Sequence, residues 1–132
     1  MKLKNLKVLE FAGVLAGPSV GQFFAEYGAK VTKVESLTGD ITRSWRIPGE
    51  KTKTGTSAYY LSVNHGKTVV RMNISDPASR PLLVKLVKTH DIILINFARE
   101  TERRHKLSPS DLAVAVPRVD GRPSVSQVTP PH

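Results

Sequence analysis

Residues 6–35, LKVLEFAGVLAGPSVGQFFAEYGAKVTKVE, decide the fold because they read as strand, glycine-bearing turn, helix and strand, one βαβ unit. Leu6, Val8 and Leu9 form a short apolar run suited to a strand buried on both faces. Gly13, Gly17 and Gly21 recur every four residues and let backbone approach backbone or a ligand, so the turn is where a ligand would sit. Pro18 suits the first helical position and Gly28 the left-handed residue just past a helix end, which predicts a helix over 18–27. Val20, Phe23, Phe24 and Tyr27 fall at i, i+3, i+4 and i+7, the stripe expected to lie on a sheet. A second strand follows over 30–34.

Outward from this unit, 132 residues allow one domain with a real core and argue against two. Lys and Arg number 20 against 11 Asp and Glu, a net charge of +9, so the surface attracts anions such as nucleotide phosphates, nucleic acid or acidic membranes. The excess is concentrated in residues 41–80, which carry +5, against +1 before and +3 after. The chain has no cysteine, which excludes disulfides, thiol catalysis and thiolate metal sites and fits a reducing compartment. The four histidines have no ligand spacing, so no metal is expected. Met1-Lys-Leu-Lys4 leads directly into a strand with no long apolar segment, so neither signal peptide nor membrane span is read and a cytoplasmic protein is the expectation.

Residues 36–57 form a polar loop too long for a plain connector, and Trp45 beside Arg43 and Arg46 argues that part of it is packed. A short helix or extended segment at 57–63 and a turn at Asn64-His-Gly-Lys67 precede a strand over 68–74. Asp76-Pro77 offers a cap and first-turn proline for a helix reaching Thr89, but Pro81 would remove a backbone bond, so the helix starts at either proline. Leu82, Leu83, Leu86 and Val87 supply its buried face. The continuous apolar run at 91–95 has the pattern of a central parallel strand. Ser108-Pro-Ser-Asp111 opens one more helix, completed by Leu112 to Val116. Prolines and turn formers without periodicity make 120–132 an irregular, disordered tail behind a segment spanning 1–119. The expected architecture is therefore α/β, a Rossmann-like parallel sheet with flanking helices.

A βαβ unit with glycines raises dinucleotide binding, yet the spacing Gly13-xxx-Gly17-xxx-Gly21 is not G-x-G-x-x-G, and Glu35 is better read as a loop-anchoring acid. Gly66-Lys67-Thr68 mimics the end of a P-loop, but Leu61 stands where its first glycine belongs and a strand follows where a helix is required. The basic residues of the middle segment are scattered over a loop and a strand, a solvated face rather than a nucleic-acid site. No serine, histidine and acid set is recognisable.

Taken together, Leu6-Lys-Val-Leu-Glu-Phe11, Val14-Leu-Ala-Gly-Pro18, Tyr27-Gly-Ala-Lys-Val-Thr-Lys-Val-Glu35, Gly39-Asp40-x-x-Arg43-x-Trp45, Ser57-Ala-Tyr-Tyr60, Asn64-x-x-Lys67, Asp91 to Asn96-Phe97 and Pro117-Arg118 resemble the amino-terminal part of the family III coenzyme A transferases. That group contains formyl-CoA and carnitine CoA-transferases and α-methylacyl-CoA racemases. The resemblance implies transfer of CoA between an acyl-CoA and a small carboxylic acid through an aspartyl intermediate, or racemase-type proton transfer beside the thioester. It implies a homodimer and coenzyme A as the bound carrier; the lack of a long apolar segment argues against a membrane, and nucleic-acid binding through the +5 middle segment is the less favoured third reading, with strongly salt-dependent binding as its mark. The resemblance also implies that the backbone of Val14, Leu15 and Ala16, together with Met72, Asn96, Phe97, Ala98 and Arg104, faces CoA.

Several positions depart from the family pattern. Ser36 and Ser75 stand where relatives place a basic residue, Ala98-Arg99-Glu100 replaces a proline-glycine turn, Gly13 takes the place of a histidine or arginine, and His65 that of an arginine. The family's catalytic aspartate lies beyond the last residue of this sequence, and Asp91, Asp111 and Asp120 do not match its motif, so no catalytic residue is assigned. The expectation is a truncated or frame-shifted CoA-transferase, inactive alone, which an uninterrupted downstream reading frame would refute. The alternative is a non-catalytic module that pairs with a full-length relative.

Overall fold

The computed structural model describes residues 2–115 and 125–127. Five parallel strands, β1 (Lys7–Phe11), β2 (Lys30–Glu35), β3 (Thr68–Arg71), β4 (Ile92–Ile95) and β5 (Val125–Gln127), lie in the order β3-β2-β1-β4-β5. The helices are α1 (Ala16–Glu26), α2 (Ala58–Ser62), α3 (Arg80–Thr89), α4 (Arg99–Arg104) and α5 (Pro109–Ala115). β1 sits centrally, with Val8 opposite Val31 on one side and Ile92 on the other.

Strand alternation divides the apolar side chains into two cores. Leu9, Phe11, Val34, Ile93 and Ile95 meet Leu83 and Val87 of α3, Leu107 and Leu112 on one face. Val8, Val31 and Leu94 meet Ala29, Val20 and Phe24 beside α1 on the other. Two covered faces explain why these strands read as apolar runs rather than alternating patterns, and they give the expected α/β parallel sheet with flanking helices, in three layers.

α1 corrects the sequence reading in its packing. It begins at Ala16, two residues before Pro18, which is harmless because first-turn N–H groups have no intrahelical partner anyway. Its buried residues are Gly17, Pro18, Gly21 and Gln22, whereas Phe23 and Tyr27 of the expected stripe are 52 % and 48 % exposed and stack on each other at 4.6 Å. The cause is close approach: a Cβ on Gly17 would lie 2.4 Å from the Ala12 Cβ, and one on Gly21 1.8 Å from Glu10 Oε2. The helix lays its glycine edge on β1, so Phe23 and Tyr27 turn outward while Val20 and Phe24 of the same stripe stay packed on the sheet.

Both proline readings before α3 hold in part. Asp76 accepts from the Ala78 amide to start a 3-10 turn over Pro77–Ser79, and α3 then begins at Arg80 with Pro81 in its first turn. Leu82, expected in the buried face, is 44 % exposed. β3 ends at Arg71 rather than at 74, although the Met72 amide still reaches Glu35 O at 3.0 Å. Val125–Gln127, read as irregular, pair in parallel with β4, whose outer edge offers unpaired backbone groups. The remainder of the 120–132 tail lies outside the described residues.

Candidate functional site

The β1–α1 turn is held in a conformation that side chains rarely adopt, with Val14 at φ 65°. Asn96, just past β4, fixes it from the neighbouring strand: its Oδ1 accepts from the Gly13 amide at 3.2 Å and its Nδ2 donates to Gly13 O at 3.1 Å. Beside this turn opens a cleft of about 520 Å³ at the carboxyl ends of β1, β2 and β3. Phe11, Val34, Met72, Ile74 and Phe97 form its apolar wall, and residues 36–41 form its lip. This is where ligands of open α/β sheets sit.

The lip is tied down by Glu35, the loop-anchoring acid expected from its place after β2. Its carboxylate accepts from Arg43 Nε at 2.9 Å, Arg43 Nη2 at 3.0 Å, the Asp40 amide at 3.2 Å and the Tyr60 hydroxyl at 2.5 Å. Burial alone would raise the Glu35 pKa, but the hydrogen bonds from Arg43 and Tyr60 outweigh it and hold the carboxyl below its ordinary value. The same burial and the adjacent carboxylate push the Tyr60 phenol up, so it donates and does not ionise. Ser57 caps α2 and bonds Thr42 O, and Trp45 packs on Tyr59 at 5.2 Å, so part of the long loop is packed as expected.

Beneath the lip lies a buried ionic network that sequence reading missed. Lys33, fully buried, reaches Glu10 Oε1 at 3.2 Å, Asp40 Oδ2 at 3.2 Å and Ala12 O at 2.6 Å. Lys67 meets Glu10 Oε2 at 2.7 Å, Pro18 O at 2.8 Å and Asn64 Oδ1 at 3.1 Å. Burial raises the Asp40 pKa, yet bonds from Thr42 and the Lys33 charge bring it below the ordinary value. For Lys67 burial wins over Glu10 and lowers the pKa. The sequence shows only an interior charge in each of two apolar strands, Glu10 and Lys33; that they are register partners appears only once the strands are paired.

The residues expected to face CoA separate into three groups. Val14, Met72 and Phe97 line the cleft, and Asn96 braces its turn. Leu15 precedes α1 and Ala16 begins it, both exposed, while Ala98 caps α4. Arg104 lies on the exposed face of α4 with its guanidinium 3.1 Å from Glu100. Among the described residues no helix is long and apolar enough to cross a membrane.

Sheet, glycine-bearing turn and cleft define an α/β protein with a parallel sheet and an open cleft over its strand ends. The chain belongs to CoA-transferase family III, which residues 3–119 match. It is 36 % identical over 121 residues to a succinate–glutarate CoA-transferase of Agrobacterium fabrum, covering 89 % of this chain and 30 % of that protein. It is 36 % identical over 123 residues to an acyl-CoA transferase of Fusarium pseudograminearum, covering 89 % and 27 %. Among solved structures, a CAIB/BAIF family protein of Brucella suis superposes with a TM-score of 0.76 at 34 % identity, over 88 % of this chain and 31 % of its own. A hypothetical protein of Mycobacterium tuberculosis gives 0.81 at 28 % identity, over 96 % and 33 %. The chain thus spans about a third or less of the length of these relatives.

Proposed function

We propose that this chain is the amino-terminal, CoA-holding part of an enzyme that transfers CoA between an acyl-CoA and a small carboxylic acid. The observation that carries the reading is the cleft at the carboxyl ends of β1 to β3, bounded by the left-handed turn at Val14. Its apolar wall suits an uncharged, flat portion of the ligand, with the phosphates outside the lip, where the net charge of +9 favours them. In this reading the backbone of Val14, Leu15 and Ala16, the Met72 side chain and the Asn96-Phe97-Ala98 segment run along the ligand, and Arg104 meets a phosphate.

The cleft by itself supplies no nucleophile for the aspartyl route. Of its two carboxylates, Glu35 has both oxygens filled by Arg43, Tyr60 and the Asp40 amide, and Asp40 is anchored by Thr42 and Lys33 in a side chain only 5 % exposed, which suits an acceptor held in place rather than an attacking group. The part assigned to these residues is therefore binding and orientation, with covalent chemistry supplied elsewhere in the enzyme. Titration of CoA into the purified chain, with Arg104→Ala alongside, tests this: saturable binding weakened severalfold by the substitution is expected. Absence of binding by the wild-type chain would overturn it, and so would acyl transfer by the 132-residue chain alone.

A further inference from the structure

The two carboxylates at the cleft differ in how much of their acceptor capacity is used. Glu35 accepts two hydrogen bonds at each oxygen, from Arg43 Nη2 and Tyr60 at Oε1 and from Arg43 Nε and the Asp40 amide at Oε2. Asp40 Oδ1 accepts the amide and hydroxyl of Thr42 at 2.9 and 2.6 Å. Asp40 Oδ2 meets only Lys33 Nζ among the described residues, at 3.2 Å. A carboxylate oxygen has two lone-pair sites, so one at Oδ2 stays open.

That open site faces Gly13. A Cβ at position 13 would lie 3.9 Å from Asp40 Oδ2 with no other non-neighbouring heavy atom within 4 Å, and both residues line the cleft. The Asp40 side chain is 5 % exposed, so water does little to satisfy the oxygen. Lys33 fixes its position by donating in the same place to Ala12 O and Glu10, which belong to the β1 end of the cleft. None of the lining residues is Lys, Arg or His, so apart from its Lys33 partner the oxygen meets no cation from the cleft wall.

We propose that Asp40 is the hydrogen-bond acceptor by which the cleft selects its ligand, taking a hydroxyl or amino donor of the CoA adenosine through the gap left by Gly13. This rests on the CoA reading of the cleft. An uncharged base or ribose fits a largely apolar wall in which Asp40 offers an acceptor beside Gly13, whereas a phosphate placed there would meet a carboxylate.

Isothermal titration of CoA and of adenosine into wild type, Asp40→Asn and Gly13→Ala tests the assignment. Asp40→Asn keeps an oxygen for Thr42 and removes the acceptor. Gly13→Ala puts a methyl group over the open lone pair at ordinary contact distance, leaving the fold and the Lys33 bonds in place. Each substitution is expected to weaken binding about tenfold or more, the size of a lost bond to a charged group. Unchanged affinity in Gly13→Ala, or weakening there but not in a folded Asp40→Asn, overturns the assignment and leaves CoA binding intact. If Asp40→Asn does not fold, Gly13→Ala decides. Wild type that binds adenosine with both effects but not CoA keeps the acceptor and removes the CoA reading; wild type that binds neither ligand overturns both.

Discussion

Three oxygens converge on the Lys33 ammonium, from Glu10, Ala12 and Asp40, and an ammonium has three protons to give. Such a buried group contributes by keeping two carboxylates compensated, so its removal exposes their full desolvation cost. Lys33→Met is expected to lower unfolding free energy by about 3–5 kcal/mol, the usual result of orphaning a buried charge. Urea denaturation followed at Trp45, the single tryptophan, measures it, and a loss below about 1 kcal/mol would contradict the network as drawn. Glu35 was legible in the sequence because an acid after a strand, ahead of a polar loop with arginines, has an evident task. Lys33 and Glu10 were not, since their partners sit in neighbouring strands and no spacing along one strand reveals a cross-strand ion pair.

Two helix ends show how much of an element depends on its closing residue. After α1, Gly28 adopts φ 94° while its amide bonds Ala25 O and the Ala29 amide bonds Phe24 O, the paired closure that the glycine predicted. After α4 the same closure recurs, Lys106 to Arg103 O and Leu107 to Glu102 O, but Lys106 takes the left-handed φ of 53°. A side chain there costs about 1 kcal/mol that glycine would not. Lys106→Gly is therefore expected to raise the melting temperature by a few degrees, and a calorimetric decrease would count against the φ assigned. Gly21→Ala works in the opposite direction. Its Cβ would meet the buried Glu10 carboxylate at 1.8 Å, and overpacking of this kind costs about 1–3 kcal/mol, the reverse of alanine's usual gain in a helix. The glycine spacing announced a close approach. The direction in which α1 is rotated was illegible, because a periodic aromatic stripe and a periodic glycine edge compete for one sheet face and only the packed structure decides.

At the scale of the molecule, four strand positions and the parallel α/β architecture were readable because covered faces leave apolar runs and because ordered family motifs extend along most of the sequence, whereas the strand order is set by cross-strand pairing that no single stretch records. The fifth strand was not, since three residues beside an existing edge take their pairing from that edge and carry no pattern of their own. The cleft combines both cases: its glycine turn was visible, while its lip depends on a backbone amide and side chains 5 to 25 positions away closing around Glu35. That closure makes stability depend on pH. Glu35 and Asp40 are held below their ordinary values of 4.5 and 3.8 in the folded chain, so each contributes stability above those values and loses it as pH falls through its lowered folded value. Lys67 acts in the opposite sense at the alkaline end: held below 10.5 by burial, its charge costs stability at neutral pH, a cost relieved as pH rises through its folded value. Lowering the pH from 7 through the carboxylate range should therefore reduce the urea midpoint. Trp45 fluorescence should change no later than circular dichroism, because Glu35 holds the segment that carries the indole. Glu35→Gln should flatten the acid slope, and because the carboxylate also helps to hold the Tyr60 phenol up, it should alter the alkaline limb as well. A urea midpoint constant between pH 7 and 3 would show that these carboxylates are not held as described.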